Sequence, residues 1–317
     1  MSSHGQKTDG RQPIYSTVAP VHTTRARIDA QLEDIAREEK IAEDNQRLKG
    51  VGSETTVVDL ENIKEFDISS MERNSVILVV ASRRSGKTHI TQHILEQYHK
   101  KNPFDAVFLF SKTNSGFEKS IPQTYRFRTL ENLQLIIDTQ IKVKKHNKKA
   151  KKKDMVDSNI CIVLDDYVGS GGLTAEMRKN PILNKLAVNG RHLDFQGRSN
   201  VMVIMLSQIY TGISPQIRLN ADYVFTTKLS AKKERENIIH GFLSLESGRS
   251  GLASSYNVFD RIVNEKDFQF IVINTTAQNK TKFSDYVFKL TAPPTLEDTK
   301  LVGDDDDWKH NNLQIYF

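Results

Sequence analysis

From residue 76 onward, short continuous apolar runs alternate with longer amphipathic stretches. The runs Val76–Ala81, Ala106–Phe110, Ile160–Asp165, Val201–Ser207 and Tyr223–Thr227 predict strands. Helical patterns are read near 87–101, 130–146, 175–190 and 231–243. Strands apolar at every position, rather than every second one, are expected where helices cover both sheet faces. The strand–helix alternation therefore predicts βαβ units and an α/β fold with a mostly parallel central sheet. Two later β-prone runs, Phe268–Asn274 and Tyr286–Leu290, are expected to extend that sheet.

The flanks read differently. Residues 1–23 are polar and aperiodic and are expected to be a disordered tail. Residues 24–70 are expected to form a charged helix and a linker. Ile28, Leu32, Ile35, Ile41 and Leu48 give the helix a thin apolar stripe, and Thr55–Leu60 is a candidate short strand. The main domain is placed at 71–292. Residues 293–317, with Asp304 to Asp307 in a row, are expected to be a solvated acidic tail. No internal repeat is found.

Where the first apolar run ends, the chain reads ASRRSGKT, residues 81–88, followed by a segment free of Gly and Pro. This frame fits the phosphate-cradling P-loop, G-x-x-x-x-G-K-[ST], with Ala81 in place of the first Gly. The chemistry calls for that order. Gly86 lets backbone N–H groups close around phosphate oxygens, and the helix beginning there points its positive dipole end at the same anion. Lys87 brings a point charge to the β- and γ-phosphates, and the Thr88 hydroxyl can ligate Mg²⁺. Ala81, Ser82, Arg83, Arg84, Ser85, Gly86, Lys87 and Thr88 are thus the candidate ATP-binding residues. Arg83 and Arg84 are expected to point outward into solvent.

Two further strand tips carry candidate chemistry. NICIVLDDYVG, residues 159–169, ends an apolar strand in two carboxylates. Asp165 is the candidate partner of Mg²⁺, and Asp166 the candidate group that orients or deprotonates an attacking water. A strand-ending turn is the plainer explanation of either residue alone. NVMVIMLSQ, residues 200–208, ends in Ser207 and Gln208. The Gln208 amide can hydrogen-bond both the γ-phosphate and the water. Because one strand, Ala106–Phe110, intervenes between the P-loop and the Asp165 strand, the order fits a P-loop NTPase of the additional-strand (ASCE) type. In that arrangement the Gln208 strand is inserted between the other two, with helices on both faces. A simple nucleoside kinase fits less well, since no substrate lid is found.

Composition narrows the picture only modestly. The 317 residues are 38% hydrophobic and 26% charged, suggesting a folded core with solvated extensions. The net charge of +6 is compatible with nucleic-acid or membrane-surface partners. Cys161, the single cysteine, lies in an apolar run and reads as a core residue. That leaves no internal disulfide framework and no cysteine-based zinc site. No secretory signal and no transmembrane segment are read.

The phrases VVASRRSGKT, IVLDDYVG, NGRHLDFQGRSNVMVIMLSQ and ISPQIRLNADYVF together resemble the poxvirus-type genome-packaging ATPases of large eukaryotic DNA viruses, within the FtsK/HerA group of P-loop motors. The resemblance spans roughly residues 72–290. It implies ATP and Mg²⁺ as cofactors and a homo-oligomeric ring acting on double-stranded DNA. It also implies a capsid vertex or portal protein as a possible partner, and a place in the virion or at the host-cell site of virus assembly. It further implies an arginine that reaches a neighbouring subunit's nucleotide. Arg191, in the GRH stretch, matches that position, with Arg198 and Arg218 as alternatives. A cellular FtsK/HerA-type motor and a nucleotide-gated switch or scaffold that does not move DNA remain open.

The run IKVKKHNKKAKKKD, residues 141–154, holds eight lysines and no aromatic residue. That composition suits phosphate contact without base stacking. A solvated excursion between a helix and the Asp165 strand is the alternative.

Overall fold

The computed structural model describes residues 62–113, 116–165, 181–194, 196–243 and 249–302. The expected N-terminal tail, the helix at 24–49, the strand at Thr55–Leu60, Asp166, the first part of the 175–190 helix and the acidic run Asp304–Asp307 lie outside the described residues.

Among the described residues fourteen α and β elements carry the fold: β1 (Val76–Val80), α1 (Lys87–Lys101), β2 (Ala106–Ser111), β3 (Arg126–Phe127), α2 (Glu131–Asn147), β4 (Ser158–Asp165), α3 (Ile182–Asn189), β5 (Ser199–Ser207), α4 (Pro215–Asn220), β6 (Tyr223–Thr226), α5 (Lys232–Ile238), α6 (Arg249–Val263), β7 (Gln269–Asn274) and β8 (Val287–Thr291). The eight strands form one sheet in the order β3-β2-β4-β5-β1-β6-β7-β8. Pairing is parallel from β3 through β6, while β7 and β8 join antiparallel. The fold is a mostly parallel α/β sheet with β5 inserted between β1 and β4, as the strand-tip reading requires.

The sequence explains the layering. β1, β2, β4 and β5 are buried at every position, which is what unbroken apolar runs need. β8, at the sheet edge, mixes buried with half-buried positions. Helix α1 buries Ile90, Ile94, Leu95 and Tyr98 on one stripe. Its last turn carries His99, Lys100 and Lys101, where positive charge complements the helix dipole. Cys161 is free and fully buried, and burial pushes its thiol pKa up, consistent with a core role.

The packed body reaches past both expected boundaries, 71 and 292. On the N-terminal side Ile63, Phe66, Ile68 and Met71 are buried. The Phe66 ring meets Tyr223, Phe225 and Phe288 at 5.5–5.6 Å between centroids. Burying a side chain of that size is worth roughly 2–3 kcal/mol. On the C-terminal side residues 293–302 run along α1, half of them exposed, and end in a buried pair. Pro293 O bonds His89 Nε2. Glu297 pairs with Lys100 at 2.6 Å, and the Leu301 N–H donates to Ser120 O at 2.9 Å. Leu301 and Val302 are buried, so these two apolar residues draw the segment onto the body.

Three elements were not read from the sequence: the two-residue β3, the short α4 and the long α6. The helix expected at 231–243 runs as α5 to Ile238 and then continues as a π-helical turn over Ile239–Leu243.

Candidate nucleotide site

β1 delivers the chain to the loop at the C-terminal edge of the sheet, and Ala81 prolongs the ladder. Its N–H donates to Ser207 O at 3.1 Å and its side chain is fully buried. Ala81 is not among the residues with positive φ. Glycine's conformational freedom is therefore not needed at this first position of the motif, and a methyl group packed in the core serves there.

The left-handed backbone falls instead at Arg84 (φ 62°) and Gly86 (φ 88°). Left-handed residues alternating with a residue of negative φ, as here around Ser85, can aim successive backbone N–H groups into one concavity, the geometry that holds anions. Inside the loop, Ser85 Oγ donates to Ser82 O at 2.5 Å. Ser230, beyond β6, donates from its N–H (2.9 Å) and its hydroxyl (3.0 Å) to Ser82 Oγ. The loop is thereby tied to the segment after β6. Lys87 opens α1 and its ammonium donates to Ser82 O at 3.4 Å, so the side chain lies back across the loop. Arg83 and Arg84 are exposed, as expected.

The other two strand tips stand beside this loop. Asp165 is the last residue of β4 and is only 5% exposed. It is in register with Ser111 on β2 and Leu206 on β5. One residue further along β5, Ser207 is in register with Val80. Asp165, the Ser207–Gln208 tip and the P-loop thus follow one another along one edge of the sheet. Ser207 Oγ donates to Ile209 O (2.7 Å) and accepts from Ile209 N (3.0 Å), which commits it to its own turn. Gln208 is half-buried at the tip. Thr88 and Asp165 offer hydroxyl and carboxylate oxygens, a hard donor set that suits Mg²⁺.

Two of the three candidate arginines, Arg191 and Arg198, sit at the far end of the sheet. Residues 190–193 form a 3-10 turn joined to the start of β5 by the Ser199 hydroxyl, which donates to Leu193 O at 3.0 Å. That is the sheet end opposite the P-loop. Asp194 shapes the following turn, accepting from the N–H groups of Gly197 (2.9 Å) and Ser199 (3.1 Å). Residue 191 thus stands at the opposite end of the sheet from the P-loop, and its side chain lies outside the described set. Arg198 pairs with Asp157 at 2.8 Å at the same end of the sheet. Arg218 lies 4.6 Å from the Tyr210 ring centroid. Burial raises the Tyr210 pKa, and Arg218 opposes that shift.

No protein-family model matches the chain. It is 20% identical over 204 residues to uncharacterized protein L437 of Acanthamoeba polyphaga mimivirus, covering 63% of this chain and 66% of that protein. The chain thus spans just under two thirds of this relative. Among solved structures it is similar to the genome packaging NTPase B204 from Sulfolobus turreted icosahedral virus 2 in complex with sulfate. There the identity is 13% and the TM-score 0.48, over 72% of this chain and 100% of that one. It is also similar to EssC (ATPases 2 and 3) from Geobacillus thermodenitrificans, at 14% identity and TM-score 0.44, over 75% of this chain and 42% of that one.

Five of the eight lysines of the run lie in secondary structure. Lys142, Lys144 and Lys145 lie on the last turns of α2, and Lys152 and Lys153 on a 3-10 turn. Buried Asn147 clamps the excursion shut, donating to Val156 O and accepting from Val156 N, both at 2.8 Å. The run ends where β4 begins, at the sheet end opposite the P-loop.

Three site neighbours had escaped sequence reading. Ser230 holds the P-loop from beyond β6. Gly116 lies against Thr88. Phe268, expected inside a strand, stands just outside β7 with φ 55°. None has a local sequence signal, because each acts through a contact distant along the chain.

Proposed function

We propose that this chain is an ATPase that drives double-stranded DNA, working as the genome-packaging motor of a virus in a ring of its own copies. The observation that carries the hydrolytic part is the insertion of β5 between β1 and β4. It sets Gln208 between the phosphate loop and Asp165, the place from which an amide can touch both a γ-phosphate and a water. The DNA part is supported by the sequence phrases that resemble packaging ATPases and by the lysine-rich, aromatic-free run at 141–154.

In this reading the loop backbone and Lys87 bind and orient the triphosphate. Thr88 and Asp165 would hold Mg²⁺, which when bound neutralises phosphate charge. Asp166 takes a proton from a water whose oxygen attacks the γ-phosphorus. The bond to the β–γ bridging oxygen breaks and ADP departs with its electron pair. Gln208 holds the water in line. Arg191 of a neighbouring subunit supplies positive charge to the transferring group, since it is remote from its own chain's loop. Lysines 142–153 grip phosphates without reading sequence. The motor would act at a capsid vertex or portal, in the virion or at the site of assembly.

The nucleotide half is tested by measuring ATP binding and hydrolysis for the full chain and its Lys87→Ala and Asp165→Asn variants. Lys87→Ala is expected to lower hydrolysis by roughly 100-fold or more. Asp165→Asn is expected to spare ATP binding measured without Mg²⁺ while lowering Mg²⁺-dependent turnover. Hydrolysis unchanged in both variants would remove the reading.

A further inference from the structure

The P-loop has two flanks, and the proposed chemistry uses only one. Asp165 and Gln208 stand on the β4–β5 side. On the other side β6, β7 and β8 continue the sheet. Because β7 is antiparallel to both neighbours, its beginning and the end of β8 come to the same edge as the P-loop. There a cleft of about 790 Å³ opens, lined by Arg84, Gly86, Lys87 and Thr88 on one side and by Phe268 and Pro293 on the other. That volume falls within the range of small-molecule sites, roughly 300–1,000 Å³. A phosphate chain cradled by loop N–H groups would fill one end. The remainder is open to a nucleoside.

Phe268 is the unusual member of this lining. It is 57% exposed, so its ring does not serve the core. Its φ of 55° is a conformation that a bulky side chain adopts only at a cost, and such residues cluster at ligand sites. The ring lies over the loop: a Cβ built on Gly86 would come within 3.2 Å of Phe268 Cδ1. The facing wall is fixed to α1 by the bond between His89 Nε2 and Pro293 O.

We propose that Phe268 is the stacking platform for the nucleobase of the bound nucleoside triphosphate, with the Pro293 segment as the facing wall. This rests on the reading of the P-loop as the triphosphate site. An aromatic face stacks on any base, so Phe268 supplies affinity for the nucleoside with little choice between purines. It also predicts that inorganic tripolyphosphate, which has no base, ignores this residue.

The test compares ATP, GTP and inorganic tripolyphosphate by titration calorimetry on the full chain and on its Phe268→Ala, Phe268→Trp and Lys87→Ala variants. Phe268→Ala is expected to weaken both ATP and GTP by roughly 10- to 100-fold, the range seen when a base loses its aromatic partner. Its tripolyphosphate affinity should hold, and Phe268→Trp should restore nucleotide binding. Lys87→Ala should weaken all three ligands. If wild type binds ATP and Phe268→Ala binds it equally well, the stacking is wrong and the P-loop reading stands. If Phe268→Ala loses tripolyphosphate in equal measure, the ring shapes the loop rather than holding a base. If wild type binds neither ATP nor tripolyphosphate, the P-loop reading falls and this inference with it.

Discussion

Gly116 lies so close to Thr88 that a Cβ built on it would sit 2.7 Å from Thr88 Cγ2. Its φ of 94° also excludes an ordinary side chain. The connection after β2 can therefore approach the proposed Mg²⁺ ligand only because this residue has no side chain. Gly116→Ala should push Thr88 aside. We expect turnover at saturating Mg²⁺ and ATP to fall about tenfold, the effect of some 1.4 kcal/mol at the barrier. ATP binding without Mg²⁺ should be retained. Steady-state kinetics beside calorimetry checks both, and unchanged turnover would contradict the contact's importance.

Much of this site could be read from the sequence because each strand announces itself twice. Its central run is apolar, and a residue with chemistry follows at or after its end: Lys87 after β1, Asp165 on β4, Gln208 after β5. The insertion of β5 was expected from the additional-strand arrangement that the element order fits. Strand direction was not: Gln269–Asn274 reads as β-prone whichever way it runs, and its antiparallel pairing is what creates the Phe268 cleft. Helix α6 was missed because Ser250, Gly251, Ser254 and Ser255 dilute its apolar stripe, although Val258, Phe259 and Ile262 are buried. Residues 293–302 read as tail because they lead into the acidic run Asp304–Asp307. Two buried residues, Leu301 and Val302, hold their end to the body.

The lysine run gives a prediction about salt. Lys151, Lys152 and Lys153 are exposed and lie at the sheet end away from the P-loop. Each phosphate contact contributes about 0.9 to the slope of log affinity against log salt concentration. Replacing all three by Ala should flatten that slope for duplex DNA by up to about 2.7. ATP hydrolysis without DNA should not change. Binding isotherms at several salt concentrations decide the matter, and an unaltered slope would assign the lysines to solvent.

Acid should weaken the fold through α1. Burial lowers the His99 pKa, and its Nδ1 accepts from the Phe104 N–H at 3.0 Å, which needs that nitrogen unprotonated. Burial lowers the His93 pKa as well. With folded pKa values below the ordinary 6.5, the unfolded chain takes up protons first as pH falls. Stability from these residues is thus complete above 6.5 and declines as pH drops through that value. Thermal unfolding at about pH 7.5 and about pH 5.5 should give a lower Tm in acid. His99→Ala should have a lower Tm at neutral pH and a smaller acid decrement. An equal decrement in both proteins would place the titration elsewhere.

The central claim is that ATP turnover at this P-loop is coupled to double-stranded DNA. Its most direct test is the steady-state ATPase rate of the purified full chain with and without duplex DNA, with Lys87→Ala as control. The account predicts a rate that rises with duplex DNA and is lost in Lys87→Ala under both conditions. A wild-type rate that depends on Lys87 but is indifferent to DNA would contradict it, leaving an ATPase that works as a switch and not as a motor.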